Sequence, residues 1–213
     1  MTTNNIKKLV CGNFLKLYAI TDYELSDTEL LEKTEAALKA GVTCVQLREK
    51  NLSKEELIKK AIKLKALCDR YNAVFIVNDY FEVALEVHAD GVHVGLDDAD
   101  VALIRERAGA DFIIGATAKT VEVAREAEKK GADYLGVGAM FHSSTKGEAR
   151  VITKDEFKNI ANSVNIPLVA IGGITAENVS EISNMGQAGI AVVGAVYGTD
   201  DTEAAVKNLL EKS

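Results

Sequence analysis

Five short apolar runs in this chain each stop at polar residues able to bind or transform an anion. Val45 leads into Gln46, Leu47, Arg48, Glu49 and Lys50. The run 74–77 stops at Asn78 and Asp79. The run 91–94 leads through Gly95 and Leu96 to Asp97 and Asp98. The run 134–140 leads to Ser143, Ser144, Thr145 and Lys146. The run 169–171 stops at Gly172 and Gly173. Each cluster has its own chemistry. The guanidinium of Arg48 and the ammonium of Lys50 suit phosphate or pyrophosphate. If strand alternation continues past Leu47, Gln46, Arg48 and Lys50 share one face. Asp79 and Asp98 offer hard oxygen donors. Mg²⁺ typically takes one or two such carboxylates and completes its shell with substrate phosphates and water.

The remaining clusters read the same way. The hydroxyls, loop N–H groups and lysine of 143–147 can wrap a phosphate, although no Walker A pattern is present. Gly172-Gly173 lets backbone approach a ligand closely, with a helix expected to open at Thr175. Val192-Val193-Gly194-Ala195 repeats that theme. Each cluster also has a plainer reading. Asp79 precedes the apolar stretch 81–87, and Asp98 or Asp100 precedes 101–107, so the aspartates could be helix caps. The 46–50 and 143–147 segments could be solvated loops. Of the histidines, His88 and His93 are expected in packed or surface roles. His142 falls nearer the polar strand ends but has no obvious partner carboxylate. No Ser/His/Asp triad or zinc spacing is present.

The elements that must position these residues are legible from periodicity. Apolar strand candidates at 17–20, 43–47, 74–77, 91–94, 112–115, 134–138, 168–171 and 190–193 alternate with helical patterns. Leu57, Ala61, Leu64 and Cys68 form one stripe at helical spacing, and Leu30, Thr34, Ala37 and Leu38 form a weaker one. Ser26 with Glu29, Ser53 with Glu56, and Thr153 with Glu156 have capping-box spacing. Gly41 and Gly131 follow helix ends that want a left-handed residue. A weak internal echo recurs at Ala40-Gly41-Val42-Thr43, Ala89-Asp90-Gly91-Val92 and Gly131-Ala132-Asp133-Tyr134. Eight strand–helix pairs predict a single (β/α)₈ TIM barrel over 1–213, with 1–16 as an N-terminal extension that could add a helix. An open doubly wound sheet would gather its ligand contacts at one switch point. Polar ends spread over many strands favour closure, and in a barrel they all face one mouth.

Composition narrows the partners. The chain has 213 residues, enough for one domain with a large core, and its one proline marks no linker. A formal charge of −7 argues against a general nucleic-acid or anionic-membrane binder. No apolar stretch is long enough to span a membrane, and 1–16 lacks the pattern of a secretory leader. Cys11, Cys44 and Cys68 show no metal or redox spacing and read as reduced thiols of a cytoplasmic protein. A homo-oligomer is left open.

With these residues placed, the chain resembles the thiamine-phosphate synthase family, part of a superfamily shared with thiazole tautomerases. The resemblance runs from Leu17 to Leu210. It is carried by Tyr18-Ala19-Ile20-Thr21-Asp22, Val45-Gln46-Leu47-Arg48-Glu49-Lys50, Asn78-Asp79, Asp90-Gly91-Val92-His93-Val94-Gly95, Gly131-Ala132-Asp133-Tyr134, Thr145-Lys146 and Ala170-Ile171-Gly172-Gly173-Ile174. It implies condensation of hydroxymethylpyrimidine pyrophosphate with hydroxyethylthiazole phosphate, or its carboxylated form, to give thiamine phosphate and pyrophosphate. It implies a dissociative, Mg²⁺-assisted substitution and no macromolecular substrate. By matching position, Gln46, Arg48, Lys50 and Asn78 would hold the pyrimidine pyrophosphate, Asp79 and Asp98 would ligate Mg²⁺, and Lys146 would contact the pyrophosphate. Ser143, Thr145, Gly173, Val193 and Gly194 would meet the thiazole substrate. Arg48, Lys50, Thr117 and Lys146 would act in the reaction. Three positions depart from the usual pattern: Thr117 and Gly194 each replace a serine, and Ser143 replaces a threonine. The alternatives are a thiazole tautomerase and a non-catalytic thiamine-precursor binding protein. Lys119 falls about where the tautomerase has a histidine, and no metal or cation group is lost as a sensor would lose it.

Overall fold

The strands close on themselves. In the computed structural model, which describes residues 13–96, 98–142 and 150–213, eight parallel strands form a barrel in sequence order. They are β1 (Leu17–Ile20), β2 (Cys44–Leu47), β3 (Val74–Asn78), β4 (Gly91–Val94), β5 (Ile113–Ala118), β6 (Tyr134–Gly138), β7 (Leu168–Ile171) and β8 (Gly189–Val192). Closure is made by β1, which pairs with β2 through Tyr18 and Cys44 and with β8 through Leu17 and Ile190. The (β/α)₈ expectation therefore holds. Its calls on Asp97, Ser143, Ser144, Thr145, Lys146 and most of the N-terminal extension lie outside the described residues. Residues Asn13–Leu15 form a 3₁₀ turn beneath the barrel, with Phe14 edge-on to Tyr134 at 6.0 Å between ring centroids.

Helices follow most strands: α1 (Asp27–Ala40), α2 (Lys54–Arg70), α3 (Phe81–Glu86), α4 (Val101–Ala108), α5 (Val121–Lys129), α6 (Lys154–Ala161), α7 (Gly194–Tyr197) and α8 (Thr202–Lys212). One expectation fails here. No helix opens at Thr175; a turn and a short 3₁₀ helix, Val179–Ile182, follow β7 instead. The physical reason is local. Asn178 bonds the Gly173 carbonyl and the Thr175 N–H, both at 2.9 Å, and folds the segment back on itself. Such side-chain bonds compete with helical ones.

Local signals explain most boundaries. Ser53 with Glu56 and Thr153 with Glu156 form reciprocal capping boxes on α2 and α6. Ser26 caps α1 through the Glu29 N–H, but the Glu29 carboxylate lies near Lys33 rather than reaching back. Each such cap contributes about 1 kcal/mol. The internal echo has a structural cause. The residue that leads into one strand accepts a hydrogen bond from the first N–H groups of the strand before it. Thr43 accepts from Leu17, Asp90 from Phe75 and Asp133 from Ile114, at 3.1, 2.8 and 2.7 Å. The chain thus satisfies orphaned donors at the barrel floor.

Alternation along the strands divides the core in two. Tyr18, Ile20, Cys44, Val74, Ile76, Ile113, Tyr134 and Val169 fill the barrel. Leu17, Ala19, Val45, Leu47 and Phe75 face the helix layer, where they meet the predicted stripes of Leu57, Ala61, Leu64, Cys68 and of Leu30, Ala37 and Leu38. Each large aliphatic side chain buried there stabilises the fold by about 1.5–3 kcal/mol. Cys44 and Cys68 are both buried and joined in no disulfide. Among the described residues no helix is long and apolar enough to cross a membrane.

Candidate active site

The polar strand ends share one mouth. A cavity of about 470 Å³ opens there, lined by residues from all eight strand ends. Of the residues singled out from sequence, Gln46, Arg48, Asn78, Asp79, Asp98, Thr117, Gly173, Val193 and Gly194 line it. Lys50 stands apart. β2 ends at Leu47, so strict alternation does not carry Lys50 into the cavity. Its exposed ammonium lies over the Tyr23 ring, 4.7 Å from the centroid, with the Arg48 guanidinium 5.7 Å from the same ring. Tyr23 therefore gathers two cations at the rim by attraction to its π-face.

The two aspartates are not helix caps. The α3 N-cap position, Tyr80, makes no side-chain cap, and α4 is capped by Asp100, which accepts from Ala102 at 2.8 Å. Asp79 has φ 63°, a left-handed conformation that costs an L-residue about 1–2 kcal/mol. Its N–H still donates to the His93 carbonyl at 2.8 Å. The ladder thus continues through a backbone twist at the lip of the mouth, a strain of the sort that clusters at functional positions. Asp98 Oδ2 accepts from the Gly95 N–H at 2.7 Å, which fixes its carboxylate on the loop after β4. A carboxylate has about four acceptor positions, so this bond leaves capacity for a further ligand.

Two carboxylates on neighbouring strand ends suit a hard cation that takes its other ligands from substrate and water. No group of three or more His, Cys, Asp or Glu that could hold a metal occurs among the described residues. The donor set fits Mg²⁺ held jointly with a phosphate better than an all-protein site.

On the far side of the mouth the ligand surface is main chain. Gly172 and Gly173 have φ 100° and 64°, and a Cβ on Gly173 would lie 2.5 Å from the His142 carbonyl oxygen. Only glycine fits there. Asn178 pins this loop, as described above. The chain then reaches Val193 and Gly194 at the start of α7. A Cβ built on Gly194 meets nothing within 4 Å. The glycine found where the family usually has serine therefore leaves open space rather than filling a gap, and the backbone N–H is retained.

Sequence reading missed the floor of the site. His93 is not a bystander: it lines the cavity and heads a chain of bonds running across the barrel. Gln46 Nε2 donates to the Tyr18 hydroxyl at 2.7 Å, Tyr18 meets Tyr134 at 2.8 Å, Tyr134 meets His93 Nδ1 at 3.1 Å, and His93 Nε2 meets Thr117 Oγ1 at 3.1 Å. A consistent direction starts at the Gln46 amide; each hydroxyl accepts one bond and donates the next. Burial pushes the phenols of Tyr18 and Tyr134 well above their usual value, so both stay neutral. Gly115 makes the room: a Cβ there would lie 2.1 Å from Tyr134 Cζ. The inward alternation of β4, which puts Val92 and Val94 in the helix layer, was the available signal for His93.

Comparison with known proteins agrees with this geometry. The family model described as thiamine monophosphate synthase matches residues 17–196. A thiamine-phosphate synthase of Ruminiclostridium cellulolyticum is 45% identical, over 92% of this chain and 93% of that one. Another, from Methanobrevibacter smithii, is 40% identical over 93% of this chain and 95% of that one. The solved structure of thiamine phosphate pyrophosphorylase from Pyrococcus furiosus superposes with a TM-score of 0.87 at 42% identity, covering 94% and 96% of the two chains. A 3-hexulose-6-phosphate synthase, at 19% identity and TM-score 0.72, shares the fold alone. The chain belongs to the thiamine monophosphate synthase family.

Proposed function

We propose that this enzyme joins hydroxymethylpyrimidine pyrophosphate to hydroxyethylthiazole phosphate, or its carboxylated form, and releases thiamine phosphate and pyrophosphate, with carbon dioxide as a further product from the carboxylated form. One observation carries the reading. A single cavity holds Arg48, Asp79 and Asp98 on one side and the Gly172–Gly173 and Val193–Gly194 main chain on another. That is room for two anionic groups with different partners.

The pyrimidine substrate would lie over the Gln46–Thr117 floor, with its pyrophosphate toward Asn78, Arg48 and the rim cation Lys50. Asp79 and Asp98 would hold Mg²⁺, which supplies positive charge to the departing pyrophosphate. Arg48 and Lys50 add to that charge, already in place before the bond breaks. The carbon–oxygen bond breaks with its electron pair leaving on pyrophosphate, and the thiazole nitrogen donates the pair that forms the new carbon–nitrogen bond. Gly173, Val193 and Gly194 would fix the thiazole phosphate so that this nitrogen waits in line, which removes much of the entropic cost of meeting. By the family resemblance, Ser143 and Thr145 would meet the thiazole substrate and Lys146 the pyrophosphate.

The tautomerase alternative finds little support, since Lys119 lines the cavity where its histidine would fall and a tautomerase has no use for paired carboxylates. A precursor-binding protein has no need of Arg48, Asp79 and Asp98 together. The proposal includes a cytoplasmic location, in keeping with a cysteine spacing that has no disulfide or metal pattern. Incubating purified protein with both precursors and Mg²⁺ should yield thiamine phosphate and pyrophosphate in equal amounts; isomerised thiazole without coupling would replace this reading with the tautomerase one.

A further inference from the structure

The end of β2 carries a charge that the reaction does not use. Val45 and Leu47 face the helix layer, while Cys44 and Gln46 face the barrel. Beyond the strand, Arg48 lines the cavity and Glu49 turns outward, with its side chain only 5% exposed. Lys60 of α2 meets it there at 2.7 Å. The same ammonium lies 3.0 Å from Asp27, the first residue of α1. Burial pulls the Lys60 pKa down, but its bonds to the two carboxylates outweigh this and leave it above its ordinary value, so the ammonium stays charged.

Stability alone is a poor reason for such a pair. Removing two charges from water costs about as much as their attraction returns, and an apolar pair of similar volume often serves as well. The location suggests another reason. Glu49 lies between Arg48 and Lys50 in the chain, and both cations stand together over Tyr23. A Glu49 carboxylate released from the helix layer, one residue from each in the chain, would compete as a counter-ion for either. The main chain here is held separately: Thr21 Oγ1 accepts from the Arg48 N–H at 2.9 Å and donates to the Arg48 carbonyl at 3.3 Å. Loss of Lys60 would therefore free the Glu49 side chain more than it would move the strand end.

We propose that Lys60 is a positioning residue: it holds the Glu49 carboxylate out of the mouth, so that Arg48 and Lys50 stay available to a pyrophosphate group. The inference rests on the reading of Arg48 and Lys50 given under the proposed function. It is tested on the full chain with inorganic pyrophosphate and Mg²⁺ as the probe, by titration calorimetry, with circular dichroism confirming each variant's fold. Lys60→Met should bind pyrophosphate about tenfold more weakly, equivalent to about 1.4 kcal/mol. Glu49→Gln, and the double variant Glu49→Gln/Lys60→Met, should bind within about threefold of the wild type, because no charge is left to compete. The KM for thiazole phosphate should stay unchanged in all three. If Lys60→Met does not fold, Lys60→Gln takes its place, since it keeps a hydrogen-bond donor beside Glu49. Wild-type affinity in the single Lys60 variant overturns the inference. So does a double variant as weak as the single one, which is what a packing role would give. A wild type that fails to bind pyrophosphate instead refutes the reading of Arg48 and Lys50.

Discussion

Replacing Tyr134 with phenylalanine removes one oxygen atom from the floor of the site and keeps the ring. Tyr134 is fully buried, and its hydroxyl sits between Tyr18 at 2.8 Å and His93 Nδ1 at 3.1 Å. The Phe14 edge contact and the space beside Gly115 would be untouched. Tyr18 would still accept from Gln46, but its own buried O–H would lose its acceptor. His93 Nδ1 would lose its bond to the Tyr134 hydroxyl at the cavity floor, and an unsatisfied buried group costs about 1–3 kcal/mol. We therefore expect Tyr134→Phe to lose about 2 kcal/mol, or a Tm lower by roughly 4–8 °C for a chain of this size. The second effect is on the mouth. Thr117 would be held by a histidine ring no longer fixed at its other nitrogen, and turnover should fall by about tenfold, the equivalent of about 1.4 kcal/mol of lost positioning. Thermal unfolding and steady-state kinetics read the two effects separately. Unchanged Tm and kcat together would refute the claim that this chain of bonds organises the floor.

Asp79→Ala should cost about 1 kcal/mol of stability, because alanine accepts the left-handed φ of 63° less readily than aspartate does; turnover should fall by at least about a hundredfold, in line with removal of a preorganised charge partner. Near-normal turnover would return Asp79 to a structural role. Asn178→Asp keeps the acceptor for the Thr175 N–H but sets a carboxylate oxygen against the Gly173 carbonyl. The KM for thiazole phosphate should rise by about three- to tenfold, the worth of one such bond, while that for the pyrimidine pyrophosphate stays put. At high pH the sign follows from burial. The folded-state pKa values of Tyr18 and Tyr134 lie well above the ordinary 10.0, so their contribution to stability is complete below about pH 10 and is lost as pH rises beyond it. Ultraviolet titration should show both phenols, along with the buried Tyr197, ionising only as the chain unfolds; early ionisation would contradict their burial.

Period-two and period-3.6 patterns exposed the architecture because a parallel barrel buries both faces of its strands. Runs such as 74–77 and 168–171 are then continuous enough to read without a partner. The polar residues that end those runs were legible for the same reason, since the change from apolar to polar falls at the lip. Four things were hidden. Thr175 looked like a helix start because Asn178 acts through side-chain bonds that composition does not announce. Lys50 looked inward because alternation says nothing once a strand has ended. His93, Tyr18 and Tyr134 looked like core because they are core: their partners are 24 to 116 residues away in the chain, and only closure brings them into hydrogen-bonding range. Glu49 was hidden among the charges of its own motif until Lys60 was seen to hold it.

The central claim is that one mouth couples two anionic substrates with a cation held by Asp79 and Asp98. The most direct measurement is thiamine phosphate formation from the two purified precursors, first with Mg²⁺, then with EDTA, then with Mg²⁺ restored in excess. The account predicts product in the first condition, none in the second, and recovery in the third. Product that forms equally well in EDTA would contradict the role of the two aspartates, and no product in any condition would contradict the assignment itself.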